Sequence, residues 1–360
     1  MKKRIKIIIT VFVFLIVSIV LFIKFNTGAA AQFTDNYLRP ILGNQIVGLL
    51  EKTYFNATDE VQQLTDKTGS KDIPQFNDAS FGSMATPIPI IGSLPTVKGE
   101  GVWHDWPLKQ FPGQEVISYA FVRPDATRPF AYVTVAEMNM KFFNLGIVAG
   151  TQQPGGPLGN SGPGLIPQNI ITSGNLVAAF NGGFQFRDGG YGMTVDGKTY
   201  VPLIKDAGTL VGYKDGSLKI VNYQGQDLGN NIAFIRQNCP ILVENGNTFI
   251  SDENNKHIWG RTFNADIYTW RSGLGLTASG NLIYAVGNNL SPLSLSTALK
   301  MAGAVNAIQL DVNPFWVRFN LFEPKTSGGY STKTLTKDLK DGSVGYLKGY
   351  AKDFFYLYKK

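Results

Sequence analysis

Residues 259–322 read WGRTFNADIYTWRSGLGLTASGNLIYAVGNNLSPLSLSTALKMAGAVNAIQLDVNPFWVRFNLF, and the period of the apolar positions changes three times along them. Residues 274–277 and 282–286 read as two strands joined by the turn Ala278-Ser279-Gly280-Asn281. Ser294 is placed to N-cap a helix in which Leu295, Ala298, Leu299 and Ala302 recur at helical spacing, and Gly303 takes the left-handed turn that ends it. A further strand over 304–310 delivers Asp311, Asn313, Pro314 and Trp316 at its C-terminal end. Strict alternation puts Asp311 on one face with Val305, Ala307 and Gln309, and Pro314 stops ladder pairing just beyond. Spacing alone leaves Asp311 either a turn aspartate bonding nearby N–H groups or a functional carboxylate at a strand mouth.

Working outward, 176–184 (LVAAFNGGF) is a buried strand running into an amide and two glycines, and YGMTVDG follows at 191–197. Taken alone, N-G-G is a good hairpin turn, and so is the D-G pair at Asp196. Residues 235–246 read IRQNCPILVENG. Arg236 and Arg271 each offer the paired donors that match two phosphate oxygens, or else serve as buried ion-pair partners. Strands are also expected over 115–122, 130–138 and 140–148, before the turn-rich TQQPGGPLGNSGPG of 151–164, which crosses the surface or borders a pocket. The fold class expected is α+β: a single compact domain on a mixed β-sheet with packed helices.

The order NGGF, RQN, RSGLG, LD, spread over roughly 115–358, resembles the phosphodiester glycosidase family. Where many members read LDGGGS, this chain reads LDVNPFW: the aspartate is kept and the glycine-rich turn is not. The resemblance implies hydrolysis of the bond between an anomeric sugar carbon and a phosphodiester oxygen. Such chemistry needs donors around the phosphate and carboxyl groups to move protons or to stabilise an oxocarbenium-like centre. Asp311 is then the first carboxylate, Asp196 the second candidate, and Arg271 the stronger of the two phosphate ligands. Asn181 would bind substrate hydroxyl or phosphate oxygens, Gly182 and Gly183 would admit the ligand against the backbone, and Asn313 and Trp316 would line the same mouth. Asn181, Arg271 and Asp311 are expected to share one rim. The competing class is a non-catalytic surface module that keeps the fold and binds wall glycans or an envelope protein. A weaker alternative is metal-assisted phosphodiester cleavage through Asp188, Asp196 and Asp311, whose spacing is not a metal motif.

His104, beside Trp103 and Trp106, is placed to bind a sugar or donate a proton, or else is a surface or structural histidine, and His257 has no motif around it. With two isolated histidines and no HExxH or CxxC, no metal site is expected, and no cofactor is implied. GxSxG, GxxxxGK[ST] and GxGxxG are absent as well, which removes the best support for a serine hydrolase, a P-loop NTPase or a Rossmann enzyme. The lone Cys239 excludes an internal disulfide and reads as a small buried hydrophobe.

The formal charge of the 360 residues is +7, but Lys2, Lys3, Arg4, Lys6 and Lys24 lie in an acid-free segment, which leaves 28 basic against 26 acidic residues beyond it. No nucleic-acid partner is expected from so balanced a surface. The basic start, the apolar run over 7–23 and Lys24 predict an export signal retained as a single-pass anchor at 5–24, the rest lying outside the cytoplasm. Cleavage near Ala31, giving a secreted protein, is the alternative. Leu38, Ile41, Leu42, Ile46, Leu49, Leu50, Val61 and Leu64 suit amphipathic helices of a stalk, and 71–101, rich in Pro, Gly and Ser, reads as a linker. The expected organisation is therefore anchor 1–31, helical stalk and linker 32–100, and a phosphodiester glycosidase-like domain over 101–360. The expected partners are a sugar phosphodiester or envelope glycan, and the membrane through the anchor.

Overall fold

The computed structural model describes residues 73–76, 86–250, 252–253, 255, 258–260 and 267–360. The expected anchor at 5–24, the helical stalk and His257 lie outside the described residues. In chain order the elements are β1 (His104–Asp105), β2 (Ile117–Val122), β3 (Val133–Met138), β4 (Phe143–Val148), α1 (Gln168–Thr172), β5 (Leu176–Asn181), β6 (Met193–Val195), β7 (Lys198–Val201), β8 (Ala207–Tyr213) and β9 (Leu218–Tyr223). There follow β10 (Ile232–Gln237), β11 (Ile241–Glu244), β12 (Asn247–Thr248), β13 (Thr269–Thr277), β14 (Leu282–Leu290), α2 (Pro292–Met301), β15 (Ala304–Val312), β16 (Phe319–Pro324), β17 (Tyr330–Thr334), α3 (Ser343–Lys348) and β18 (Phe354–Lys359).

The expected hairpin and helix are present but longer. Helix α2 starts at Pro292, whose fixed φ suits a first helical position, and its cap is Ser291 rather than Ser294. Ser291 and Ser294 form a reciprocal capping box: the Ser294 N–H donates to Ser291 Oγ at 3.1 Å, and the Ser291 N–H donates to Ser294 Oγ at 2.8 Å. The glycines of RSGLGL have a packing reason. A Cβ at Gly273 would lie 3.1 Å from Leu299 Cδ1, and one at Gly275 would lie 2.6 Å from the Ala304 Cβ. Glycine there lets α2 lie close against β13.

The expectation of an α+β fold on a mixed sheet is overturned. Among the described residues the chain is mostly β, with three short helices, and it forms an eight-stranded sheet (β1-β2-β3-β14-β13-β15-β11-β12) and two five-stranded sheets (β7-β6-β10-β8-β9 and β17-β16-β5-β18-β4). Every pairing between these strands is antiparallel. The strand-helix-strand run β14-α2-β15 suggested parallel neighbours. Both strands do run the same way, but β13 lies between them and pairs antiparallel with each. The crossover therefore spans one intervening strand, and that strand carries the two glycines under the helix.

The main core gathers side chains from all three sheets, among them Met138 and Tyr284, Phe180 and Phe355, and Leu210 and Phe234. Phe180 stacks on Phe319 with ring centroids 5.5 Å apart and an interplanar angle of 4°, and it lies 5.2 Å from Tyr284. These rings join the eight-stranded sheet to β5 and β16, and so fix the distance between Asn181 at the end of β5 and Asp311 near the end of β15. A second core under α2 holds Leu295, Ala298, Leu299, Cys239 and Trp259.

Candidate functional site

Register decides where Asp311 points. Arg271 pairs with Val312 and Gly273 with Gln309, so Leu310 and Asp311 together oppose the single residue Ser272: β15 carries a bulge here. Its effect on facing is visible in the cores. Ala307 and Val312, five positions apart, share the core under α2, while Ile308 and Leu310 belong to the inter-sheet core. Strict alternation would have set Asp311 beside Gln309 and Ala307; the bulge turns it to the opposite face.

There Asp311 is 4% exposed and its carboxylate holds the ammonium of Lys352, which is itself 7% exposed. Asp311 Oδ1 also accepts the Val312 N–H at 2.9 Å. Burial pushes the carboxyl above the usual aspartate range, against the pull of the Lys352 charge and these two donors. The Lys352 ammonium in turn lies over the Trp316 ring, 4.4 Å from its centroid. A carboxylate, a cation and an indole thus stand together where β15 ends.

Asn181 joins this site through Ser272. Its Nδ2 donates to Ser272 Oγ at 3.0 Å, and Ser272 Oγ donates to the Asp311 carbonyl at 2.9 Å. Asn181 Oδ1 accepts from Tyr284 OH at 2.9 Å and from the Arg318 N–H at 3.1 Å. With Nδ2 also donating to the Gly182 carbonyl at 3.0 Å, the amide is used by the protein and ties three strands together beneath the mouth. Gly182 and Gly183 are spaces for a side chain of this chain. A Cβ on Gly182 would overlap the Asp353 carboxylate, and one on Gly183 would lie 2.9 Å from an Arg236 nitrogen.

Arg236 pairs with Asp353 at 2.9 and 3.3 Å and donates to the carbonyls of Gln237 and Phe184 at 2.6 Å each. Both side chains are wholly buried. Asp353 Oδ2 further accepts the Gly183 N–H at 3.0 Å, so this ion pair holds the NGG turn against β18. Arg271 is on the other face of the sheet from Asp311. It donates to the carbonyls of Leu290 (2.8 Å), Trp259 (3.1 Å) and Ile267 (2.7 Å) and to Gln309 Oε1 (2.8 Å). Burial brings its guanidinium down to about 10 against the opposing charges of Cys239 and Glu253, and burial pushes the neighbouring Cys239 thiol up to about 12.

Asn313 and Trp316 frame the mouth. Asn313 takes a left-handed φ of 70°, and its N–H donates to the Trp270 carbonyl at 2.8 Å. Asp196 lies elsewhere, exposed in the tight β6–β7 turn with a φ of 47°. His104 is on the edge strand β1, with four strands between it and β15 in the sheet order, stacked on Tyr119 at 5.6 Å. The loop over 151–164 borders the site from outside, since its Thr151 N–H donates to the Tyr350 carbonyl at 3.0 Å and the Tyr350 N–H donates to the Gly164 carbonyl at 2.7 Å.

The strand-end aspartate, the NGG turn against it and the buried RQN arginine describe one arrangement. Residues 174–311 match the phosphodiester glycosidase family. The phosphodiester glycosidase match supports a glycosidase-type function, and it ends on Asp311 itself, short of Trp316 and of the Lys352-Asp353 pair. Among solved structures, the catalytic domain of zebrafish N-acetylglucosamine-1-phosphodiester alpha-N-acetylglucosaminidase, auto-inhibited by its pro-peptide, is 16% identical, with 81% of this chain and 99% of that one covered and a TM-score of 0.43. A hypothetical protein from Synechocystis is 12% identical over 69% of this chain and 63% of its own, with a TM-score of 0.37. A putative exported protein from Burkholderia pseudomallei is 10% identical over 63% and 74%, with a TM-score of 0.34. No curated protein matches the chain.

Lys352 and Asp353 were not singled out by the sequence reading. The signal available was their position, since KD stands directly before the apolar FFYLY of β18, where a buried charge needs a partner.

Proposed function

We propose that this chain hydrolyses a sugar-1-phosphodiester in envelope or extracellular glycans, acting outside the cytoplasm from a membrane anchor. The observation that carries the reading is the charge order at the strand mouth, Asp311 and then Lys352, with Trp316 over the cation. In the reaction, the bond from the anomeric carbon to the phosphodiester oxygen breaks, and its electron pair leaves with the phosphate. Water supplies a hydroxyl to the anomeric carbon and a proton to solvent, giving free sugar and a phosphomonoester. Positive charge develops on the sugar and negative charge on the departing oxygen. A carboxylate suits the first and an ammonium the second. The phosphate is itself a good leaving group, so Asp311 serves best as the anion opposite the sugar. Trp316 offers an indole face to the ring and to its positive charge.

The anchor over 1–31, the stalk and linker over 32–100 and the placement outside the cytoplasm rest on the basic start and the apolar run over 7–23. Among the described residues no helix is long and apolar enough to cross a membrane. Labelling of intact cells with an impermeant amine reagent tests the placement; a chain protected until lysis overturns it.

The activity test is release of reducing sugar from a panel of sugar-1-phosphodiesters by the full chain in detergent, with Asp311→Asn as control. Release of sugar phosphate instead would mean cleavage at phosphorus. A second reading, a glycan-binding module without turnover, is favoured by the occupation of the Asp311 carboxylate by Lys352; it predicts retention of the substrate with no product.

A further inference from the structure

The turn-rich loop over 151–164 stands outside the chemistry, yet its first residues meet the segment that carries Lys352. In the sheet order β5-β18-β4, Phe354 at the start of β18 sits opposite Asn181 at the end of β5 and Val148 at the end of β4. Residues 351–353 therefore run between the chains leaving those two strand ends. Each side presents a glycine, Gly182 after β5 and Gly150 after β4. A Cβ on Gly150 would overlap the Ala351 carbonyl and the carbonyl carbon of Lys352, as one on Gly182 would overlap Asp353. Neither glycine adopts a left-handed φ, so both positions require room rather than a special backbone conformation.

Backbone hydrogen bonds carry this spacing to the carboxylate. The Asp311 N–H donates to the Gly182 carbonyl at 3.1 Å, and the Gly182 N–H donates to the Asp353 carbonyl at 3.1 Å. On the other side the Gln152 and Gln153 N–H groups donate to the Ala351 carbonyl at 3.1 and 2.8 Å, and the Gly162 N–H closes the loop on the Gly150 carbonyl at 2.9 Å. We propose that Gly150, with the loop it opens, is a positioning residue of the Asp311 site, setting the backbone of Lys352 where its ammonium meets the carboxylate. The consequence for turnover rests on the glycosidase reading; the placement does not. A methyl group at position 150 collides with backbone, which no rotamer relieves, and residues 351–353 have no room to retreat because Gly182 stands on their far side. The Lys352 ammonium is then drawn off Asp311. The other titratable groups around this carboxyl are Asp353, the Tyr284, Tyr346 and Tyr350 phenols and the Cys239 thiol. Lys352 is the cation of this set, so its withdrawal raises the Asp311 pKa as its removal does.

Carboxyl NMR titration of the full chain in detergent, isotope-labelled at its aspartates, tests this, with the Asp311 resonance identified by its loss in Asp311→Asn. Gly150→Ala should raise the Asp311 midpoint toward that of Lys352→Met and not beyond it, and the double variant should titrate like Lys352→Met alone. Gly146→Ala is the control for a merely structural effect. Its Cβ would overlap the Tyr356 ring between the same two strands, away from Lys352, so it should destabilise the protein and leave the Asp311 midpoint in place. In the sugar-release assay Gly150→Ala should lower kcat about 10²-fold, the loss expected of a small misplacement, with KM little changed. If Gly150→Ala does not fold, the chain carrying Gln152→Gly and Gln153→Gly takes its place. It keeps the backbone bonds to Ala351 but loses the tie from Gln153 Nε2 to Gln185 Oε1, and its midpoint should rise by less in the same direction. A midpoint unmoved in every folded loop variant, or moved as far by Gly146→Ala, overturns the assignment. A raised midpoint in a protein that releases no sugar from any diester would keep this assignment and sink the glycosidase reading; sugar release with an unmoved midpoint would do the reverse.

Discussion

Replacing Lys352 by methionine removes the ammonium from Asp311 while leaving an apolar chain of similar length against Trp316. The two side chains are 8% and 6% exposed, so solvent screens the pair weakly, and breaking a buried pair from one side costs about 3–5 kcal/mol. Asp311→Asn keeps the size of the group and discharges it. In the double variant no charge is stranded, so the two costs should fall short of additivity by about 2–3 kcal/mol. Urea unfolding of wild type, both single variants and the double variant at pH 7 measures this, with the slope checked for constancy. The deficit should also depend on pH. Burial already raises Asp311 above the ordinary aspartate value of 3.8 and the Lys352 charge is the largest influence lowering it, so the variant's folded value climbs further. A folded value above the unfolded one means that the group's contribution is intact below about pH 3.8 and is lost as pH rises through the folded value. The penalty of Lys352→Met should therefore shrink in acid and grow toward neutrality. Additive single costs within about 0.5 kcal/mol, or a deficit larger in acid, would refute the pairing as the organising contact of the site.

Asp311→Asn should lower sugar release by about 10²- to 10⁴-fold when assayed where the variant, destabilised by the stranded Lys352 ammonium, is still folded; undiminished turnover would remove Asp311 from the chemistry. If the working form of Asp311 is the carboxylate, the acid limb of the wild-type rate should lie above pH 3.8, because burial raises its pKa, and Lys352→Met should move that limb further up; a limb below 3.8 contradicts the assigned form. Gly182→Ala places a methyl group on the Asp353 carboxylate and should cost about 1–3 kcal/mol or more in urea unfolding; an unchanged midpoint would mean that the turn is not held by Asp353. Ser291→Ala breaks the capping box of α2 and should cost about 1 kcal/mol, whereas a neutral result would show that the helix is set by packing on Gly273 and Gly275 alone.

Local elements were legible in the residues because their signals are local. Helix α2 announced itself by its apolar spacing, although Ser294, read as its cap, lies inside it and Ser291 is the cap, and the glycine that ends it has a φ of 96°. The position of Asp311 near a strand end was equally plain. Its facing was not, since the bulge depends on how β15 registers against β13, and nothing within AVNAIQLDV marks it. The same holds for NGG: the residues say that the backbone is open to close approach, but the group that approaches is Asp353, 170 residues away. A paired guanidinium and an available one look alike in sequence. Arg236 and Arg271 were read as phosphate ligands on their chemistry, and only the fold shows their donors spent on Asp353, Gln309 and backbone carbonyls.

The departure from LDGGGS at 310–316 changes how the mouth is walled. A glycine-rich turn offers backbone N–H groups and conformations closed to other residues. In LDVNPFW one of those conformations is kept, because Asn313 adopts the left-handed φ of 70°, which asparagine tolerates better than most residues. Its Oδ1 then accepts the Phe315 N–H at 3.2 Å, an Asx turn that fixes the next residues. Pro314 stiffens that turn, and Phe315 and Trp316 emerge where the glycines would have left bare backbone. Each ring has a cation over it, Lys340 on Phe315 and Lys352 on Trp316. The open backbone is replaced by two aromatic side chains with cations over them, and one of these cations, Lys352, is paired with Asp311. A strand-end aspartate can keep its place although the turn after it departs from LDGGGS, because its strand is held by the packing of Phe180, Tyr284 and Phe319 and not by the turn.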